Sequence, residues 1–226
     1  MLRVSEVFES IQGEGPYVGV PAHFVRLQGC NLVNLPCGPC RMCDTSYAIP
    51  LKTPSSLYAE GDFLRLLKSK RLPLLVITGG EPLLQQRKLV QYLSKVPPEL
   101  LPKLNVETNG TIPPSRDWSK FDTLFSVSPK LHTSSYLNLK SFRGFKKILK
   151  VVYNKEVDDH TFAQFVFKCA SQLGIASEED IYVMPKSRTR DSYVEQGLSC
   201  FEFCMKYGFR LGTREHLVLF DGVAGK

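Results

Sequence analysis

With 226 residues, of which 43% are hydrophobic and 23% charged, the chain is long enough to bury about 70% of its extended surface around one core, which excludes a disordered protein. No apolar run approaches the roughly 20 residues that cross a bilayer. The net charge of +7 suits small anions; the basic pairs Lys68, Lys70 and Lys146, Lys147 lack interleaved aromatics, so nucleic acid is not expected.

The polar start, Met1 to Ser10, lacks the apolar core of a signal peptide, and the expected location is the cytoplasm, with no membrane contact. Leu2 to Ile11 alternates apolar and polar residues and predicts a strand, followed by the glycine-rich turn Gln12-Gly13-Glu14-Gly15-Pro16. Ala22 to Gln28 predicts a second strand. Four of the seven cysteines then fall within fourteen residues, at Cys30, Cys37, Cys40 and Cys43. An odd, clustered cysteine set in a reducing compartment points to metal chemistry rather than disulfides. Taken alone, the loop admits zinc, which favours two-residue spacings, or an iron–sulfur cluster. The other cysteines, Cys169, Cys200 and Cys204, lie far away in helix-like sequence.

Glu60 to Lys70 predicts a helix with Phe63, Leu66 and Leu67 on one face. The pattern then repeats as strand, loop, helix: strands over Pro73 to Thr78, Lys103 to Glu107, Thr123 to Val127, Ile148 to Tyr153 and Ile181 to Met184, and helices over Gln85 to Val96, Asp159 to Leu173 and Asp191 to Tyr207. A last apolar run, His216 to Phe220, closes the chain. Such alternation predicts an α/β fold: one domain over 1–226 with a mostly parallel sheet forming a partial, open TIM-like barrel. Polar motifs follow the strands at their C-terminal ends, namely Gly79-Gly80-Glu81-Pro82, Glu107-Thr108-Asn109-Gly110, Ser128-Pro129-Lys130 and Met184-Pro185-Lys186. In barrel-like folds that rim gathers loops into one site.

A cysteine loop followed by Thr78-Gly-Gly-Glu-Pro82 resembles the radical S-adenosylmethionine superfamily. Phe8-Glu-Ser-Ile-Gln-Gly-Glu-Gly15, Phe24-Val-Arg-Leu-Gln-Gly-Cys-Asn31, Cys43-Asp-Thr45, Glu107-Thr-Asn-Gly110 and Ser126-Val-Ser-Pro-Lys130 resemble, in order, the 7-carboxy-7-deazaguanine synthase family within it. The resemblance runs to about Lys130. It implies a 4Fe-4S cluster, S-adenosylmethionine and Mg²⁺ as cofactors, a carboxylated tetrahydropterin as substrate, a reducing partner such as flavodoxin or ferredoxin, and a homodimer.

Residue by residue, the resemblance implies that Cys30, Cys40 and Cys43 hold the cluster and Thr45 the Mg²⁺. Met42, Cys43, Asp44, Gly79, Gly80, Glu81, Ser128, Pro129 and Lys130 would border S-adenosylmethionine, Glu81 meeting its ammonium. Ile11, Gln12, Gly13, Arg26 and Thr78 would contact the pterin, with Arg26 forking its carboxylate. Without the resemblance, residues 11 to 13 read as a tight turn and Arg26 as a surface arginine. Arg214-Glu-His216 resembles a segment bordering the substrate pocket, or His216 is a satisfied histidine at a strand start. Glu107 and Asn109 extend the same site or form a simple turn.

The cysteine loop, 30–45, departs from the superfamily pattern. Nine residues rather than three separate Cys30 from Cys40, and Met42 replaces an aromatic. Either Cys37 or Cys40 is the middle ligand, and Cys40 keeps the two-residue spacing to Cys43. Two other functions fit part of the pattern: an activase that makes a glycyl radical on a partner, and a zinc-stabilised nucleic-acid-binding module.

Overall fold

The computed structural model describes residues 1–36, 40, 43, 45–49 and 56–223. Its elements are β1 (Leu2–Ile11), β2 (Pro21–Leu27), β3 (Ser56–Tyr58), α1 (Glu60–Ser69), β4 (Leu74–Gly79), α2 (Gln86–Leu93), β5 (Lys103–Thr108), β6 (Thr123–Val127), β7 (Lys146–Tyr153), α3 (Asp159–Leu173), β8 (Ile181–Pro185), α4 (Arg190–Tyr207), β9 (Arg210–Leu211) and α5 (Glu215–Phe220). Among the described residues one sheet contains every strand, in the order β3-β1-β2-β4-β5-β6-β7-β8-β9. From β2 to β9 all neighbours are parallel. That unbroken sequential order is the winding of an opened barrel, not the reversed order of a doubly wound sheet.

β1 departs from the parallel rule and pairs antiparallel with β2. The reason is the connection, since the glycine-rich turn is too short for the crossover that parallel strands require. Two short edge strands, β3 and β9, carry no periodic signal and are absent from the sequence expectation. The last apolar run forms helix α5, not a strand. Only Leu217 of its apolar residues is buried, while Val218 and Leu219 are exposed, as a short surface helix demands. α2 is shorter than the predicted Gln85 to Val96: the 3-10 turn over Pro82–Gln85 takes Gln85, and the helix gives way to a turn after Leu93, ahead of Pro97 and Pro98.

Alternation along the parallel strands separates two faces. Leu75, Ile77, Leu104, Val106, Phe125, Val127, Leu149, Val151 and Val183 join residues of α1 to α4 in one buried cluster, so these helices cover a single face. Trp118 anchors it, with its ring edge-on to Phe125 at 5.7 Å and its indole N–H donating to Gln86 Oε1. The opposite, inner face is apolar near the strand starts, where Ala22, Leu74 and Val76 meet Phe24 and Tyr17. Toward the C-terminal rim it turns polar: Arg26, Thr78, Asn105, Glu107, Ser126 and Lys150.

The tightest backbone packing joins the end of β4 to the exit of β2. Gly80 N–H donates to the Leu27 carbonyl at 3.1 Å and Glu81 N–H to the Gly29 carbonyl at 2.8 Å. Gly79 has φ of 135°, and a Cβ on it would overlap the Leu27 carbonyl. Gly79→Ala is therefore expected to destabilise the protein by about 2 kcal/mol or more, whereas Gly61→Ala, in open space within α1, should stabilise it by about 0.4 to 1 kcal/mol. Denaturant titration of the two variants checks this; equal effects would contradict it.

Candidate active site

The cysteine loop leaves β2 at the rim. Cys30, Cys40 and Cys43 are half-buried free thiols, and Cys30 lies within electrostatic reach of the other two and of Glu81. Burial, aided by these neighbours, pushes the Cys30 thiol up to about 11, so iron ligation there must expel a proton. Among the described residues, no three His, Cys, Asp or Glu side chains converge closely enough for one metal ion. Three free, half-buried thiols on one short loop are the soft donors that an iron–sulfur cluster takes, one to each iron, so the chemistry of the donor set fits a cluster. Thr45 Oγ1 lies 3.8 Å from the Cys43 sulfur. Cys37, Met42 and Asp44 lie outside the described residues.

The glycine turn sits directly on this loop. A Cβ on Gly80 would overlap the Gly29 carbonyl and approach Cys30 Cβ at 3.0 Å. The turn also delivers Glu81, 1% exposed, into the rim. Its Oε1 accepts from Leu83 N–H at 3.0 Å and Thr108 Oγ1 at 2.9 Å, and its Oε2 from Asn109 N–H at 2.7 Å. Burial raises the Glu81 carboxyl to about 7 despite these donors and nearby Lys130. A carboxylate has about four acceptor positions; with three filled by protein, a position on Oε2 remains for a cation.

The same network runs along the rim. Asn109 is buried, donates to Asn31 Oδ1 at 3.1 Å and accepts from Thr111, so it is built in rather than being a plain turn residue. Asn31 immediately follows Cys30, and its amide donates to Thr111 Oγ1. Ser128 N–H donates to the Thr108 carbonyl, and Lys130 Nζ to Ser128 Oγ; Pro129 between them is buried. From the far side, Arg188 donates to the Cys43 carbonyl at 2.9 Å.

A second network fills the inner face below the rim. Lys150, 3% exposed, bonds Glu107 Oε2 and, at 2.7 Å, Glu14 Oε2. Glu14 also accepts from Arg214 at 2.9 Å, and Glu107 from Gln12 at 3.2 Å. Burial alone would raise the Glu14 carboxyl, but Lys150, Arg214 and His216 outweigh it and hold the group well below the usual carboxylate range. Burial likewise disfavours the Lys150 charge, and its two carboxylates outweigh that and raise it. Glu14 and Lys150 were not singled out from sequence. Lys150 had a signal, being the lone charge in the apolar run Ile148 to Tyr153, and a buried lysine needs a partner.

This network joins the chain ends. Gly13 carbonyl accepts from Glu215 N–H at 3.0 Å, and a Cβ on Gly13 would strike the His216 ring and backbone nitrogen. Gln12, Gly13 and His216 are thus brought together, while Ile11 ends β1 beside them. Arg26 and Thr78 are partners across the parallel β2/β4 register. The sequence-predicted residues that are described therefore all lie along one rim and the inner face beneath it.

Residues 11–121 match the family model of a 4Fe-4S single cluster domain. The chain is 29% identical over 231 residues to a 7-carboxy-7-deazaguanine synthase of Pyrobaculum aerophilum, covering 100% of this chain and 97% of that protein. The synthase of Aquifex aeolicus is 32% identical over 199 residues, covering 84% of this chain and 80% of that one. The crystal structure of QueE from Escherichia coli superposes with a TM-score of 0.64 at 24% identity, over 93% of this chain and 92% of the other, which supports the open α/β architecture. At the identity and coverage it shares with the Aquifex protein, the chain belongs to the 7-carboxy-7-deazaguanine synthase family.

Proposed function

We propose that the chain is a radical S-adenosylmethionine lyase that converts 6-carboxy-5,6,7,8-tetrahydropterin to 7-carboxy-7-deazaguanine with loss of ammonia, in deazapurine and queuosine biosynthesis. Residues 1–226 act as one catalytic domain with an enlarged cluster loop at 30–45. The observation that carries this reading is the direct seating of the Gly79-Gly80-Glu81 turn on the chain that leads into Cys30.

Cys30, Cys40 and Cys43 would hold the 4Fe-4S cluster, which when bound supplies the electron that cleaves S-adenosylmethionine to methionine and a 5′-deoxyadenosyl radical. Glu81 offers its open acceptor position to the S-adenosylmethionine ammonium. Gly79, Gly80, Met42, Cys43, Asp44 and the Ser128-Pro129-Lys130 loop line the same cofactor. Thr45, a neutral oxygen donor beside the thiol loop, is the Mg²⁺ ligand, in keeping with that ion's preference for oxygen.

Ile11, Gln12, Gly13, Thr78 and His216 contact the pterin, and Arg26 pairs with its carboxylate. Glu14, Glu107 and Lys150 form the polar floor. Because each carboxylate there has a cation, the floor is fixed before substrate arrives and needs no rearrangement to order it. A flavodoxin or ferredoxin supplies electrons, and the cytoplasm is the setting. Among the described residues no helix is long and apolar enough to cross a membrane.

The homodimer belongs to the same reading. What supports it is α4, where Val194, Leu198, Phe201 and Met205 are 45% to 71% exposed at the four-three-four spacing of a helix–helix seam. Light scattering should give a dimer for the wild type and a monomer for Leu198→Glu; a monomeric wild type at micromolar concentration contradicts the dimer.

The activity itself is tested by anaerobic incubation of reconstituted protein with reductant, S-adenosylmethionine, Mg²⁺ and the carboxylated tetrahydropterin, followed by mass spectrometry. Formation of the deazaguanine carboxylate is expected, and cleavage of S-adenosylmethionine with the pterin unchanged would refute the assignment. Replacing Cys30, Cys40 or Cys43 singly by Ala should abolish bound iron, whereas Cys37→Ala should retain it; the reverse pattern for Cys37 and Cys40 would exchange their roles.

Lys150→Met takes away the cation that Glu14 and Glu107 share, while Glu14 keeps Arg214, and should cost about 1.5 to 3 kcal/mol near neutral pH. The sign follows from Glu14, whose depressed folded-state value contributes stability above the ordinary carboxylate range and loses it as pH falls. In the variant Glu14 protonates more easily, so the penalty should shrink as pH falls below about 5. Denaturation curves at two pH values that show the same penalty would contradict the network.

A further inference from the structure

Arg26 is held in place by a device that the reaction's assigned residues do not include. β1 and β2 pair with Val4 opposite Leu27, and the next pair is Glu6 opposite Arg26. Ser5 is therefore an extra residue, a bulge. Without it Ser5 would face Arg26, and the Glu6 carboxylate would turn to the helix-covered face with Leu2 and Val4. The bulge instead puts Glu6 on the inner face, where its Oε1 accepts from Arg26 Nε at 2.5 Å.

Tyr47, from the segment just after the cysteine loop, completes the arrangement. Its hydroxyl donates to the same Glu6 Oε1 at 2.7 Å, and its ring lies under the Arg26 guanidinium, 5.8 Å from centroid to Cζ. Behind them Phe8 and Phe24 stack at 4.9 Å and 6° between ring planes. Glu6 thus occupies the Nε edge of the guanidinium, the aromatic ring supports one of its planes, and among the described residues neither Nη nitrogen has a hydrogen-bond partner. The Arg26 side chain is 15% exposed. It presents the Nη pair, which matches a carboxylate in a bidentate fork.

We infer that Glu6 and Tyr47 are positioning residues that orient Arg26 as a selector for the substrate's carboxylate, an inference that rests on Arg26 being the pterin-carboxylate contact. Glu6 acts through its acceptor oxygen. Its negative charge partly offsets that of Arg26, so the pair gains selectivity from orientation rather than from net charge. A plain cross-strand ion pair would predict the reverse, with any effect of Glu6 confined to stability.

The test is the ratio of affinities, measured by anaerobic calorimetry on the cluster-reconstituted protein with S-adenosylmethionine, for the 6-carboxylated pterin and the same pterin without the carboxyl group. Arg26→Ala comes first and should lower that ratio by about 10- to 150-fold, the worth of a charged hydrogen bond; if the ratio is unmoved, it is the reading of Arg26 that falls, and the inference with it. Given that result, Glu6→Ala should lower the ratio about 5- to 20-fold and Tyr47→Phe about 2- to 5-fold, while Glu6→Gln, which keeps an acceptor for Nε, should restore most of the loss. Melting temperature and bound iron check folding, and Tyr47→Phe, outside the sheet, serves if Glu6→Ala does not fold. An unmoved ratio in Glu6→Ala and Tyr47→Phe, or a loss in Glu6→Gln as large as in Glu6→Ala, overturns the inference.

Discussion

The contact on which the site depends is between two pieces of backbone. Gly79 and Gly80 bring the end of β4 against Leu27 to Cys30, close enough that any side chain there would meet a carbonyl oxygen. Two hydrogen bonds lock the approach. One consequence is the direction in which the cysteine loop leaves β2. Another is the position of Glu81, whose burial is tolerable because three donors, from the turn, from β5 and from Asn109 just beyond it, receive it. The glycines therefore serve chain–chain contact first, and the space they open toward a ligand follows from it.

Below this contact the inner face follows a different rule. An apolar core would be the cheaper way to fill it, since burying charges costs several kcal/mol per ion before pairing. The chain instead spends Glu14, Glu107, Lys150 and Arg214 there, each paired, and ties Gly13 to Glu215 and His216 across the length of the molecule. Such a floor makes sense under a polar heterocycle that must be held in one orientation. It also couples the first turn of the chain to its last helix, so the proposed substrate contacts from both ends depend on one set of ion pairs.

Much of the fold was legible because its signals are local. The strand Leu2–Ile11, the strand Thr123–Val127 and the helix Asp159–Leu173 have the bounds that their periodicity predicts, and the family resemblance rests on short motifs at strand ends. What was not legible is non-local or too short to be periodic. Glu14 and Lys150 are 136 residues apart in sequence, and nothing near either one names the other. The role of Glu6 depends on a one-residue bulge that alternation cannot reveal. β9, with two residues, has no period at all, and α5 reads as strand because Leu-Val-Leu-Phe is apolar throughout, with only its packing against α4 deciding otherwise.

The central claim is that three thiols beside the glycine turn hold a cluster with one iron left for S-adenosylmethionine. Electron paramagnetic resonance of the reduced, reconstituted protein, recorded before and after adding S-adenosylmethionine, tests it most directly. A 4Fe-4S signal whose g-values shift on addition is the expected result. A protein that binds no cluster, or a cluster signal that S-adenosylmethionine leaves unchanged, would contradict the account.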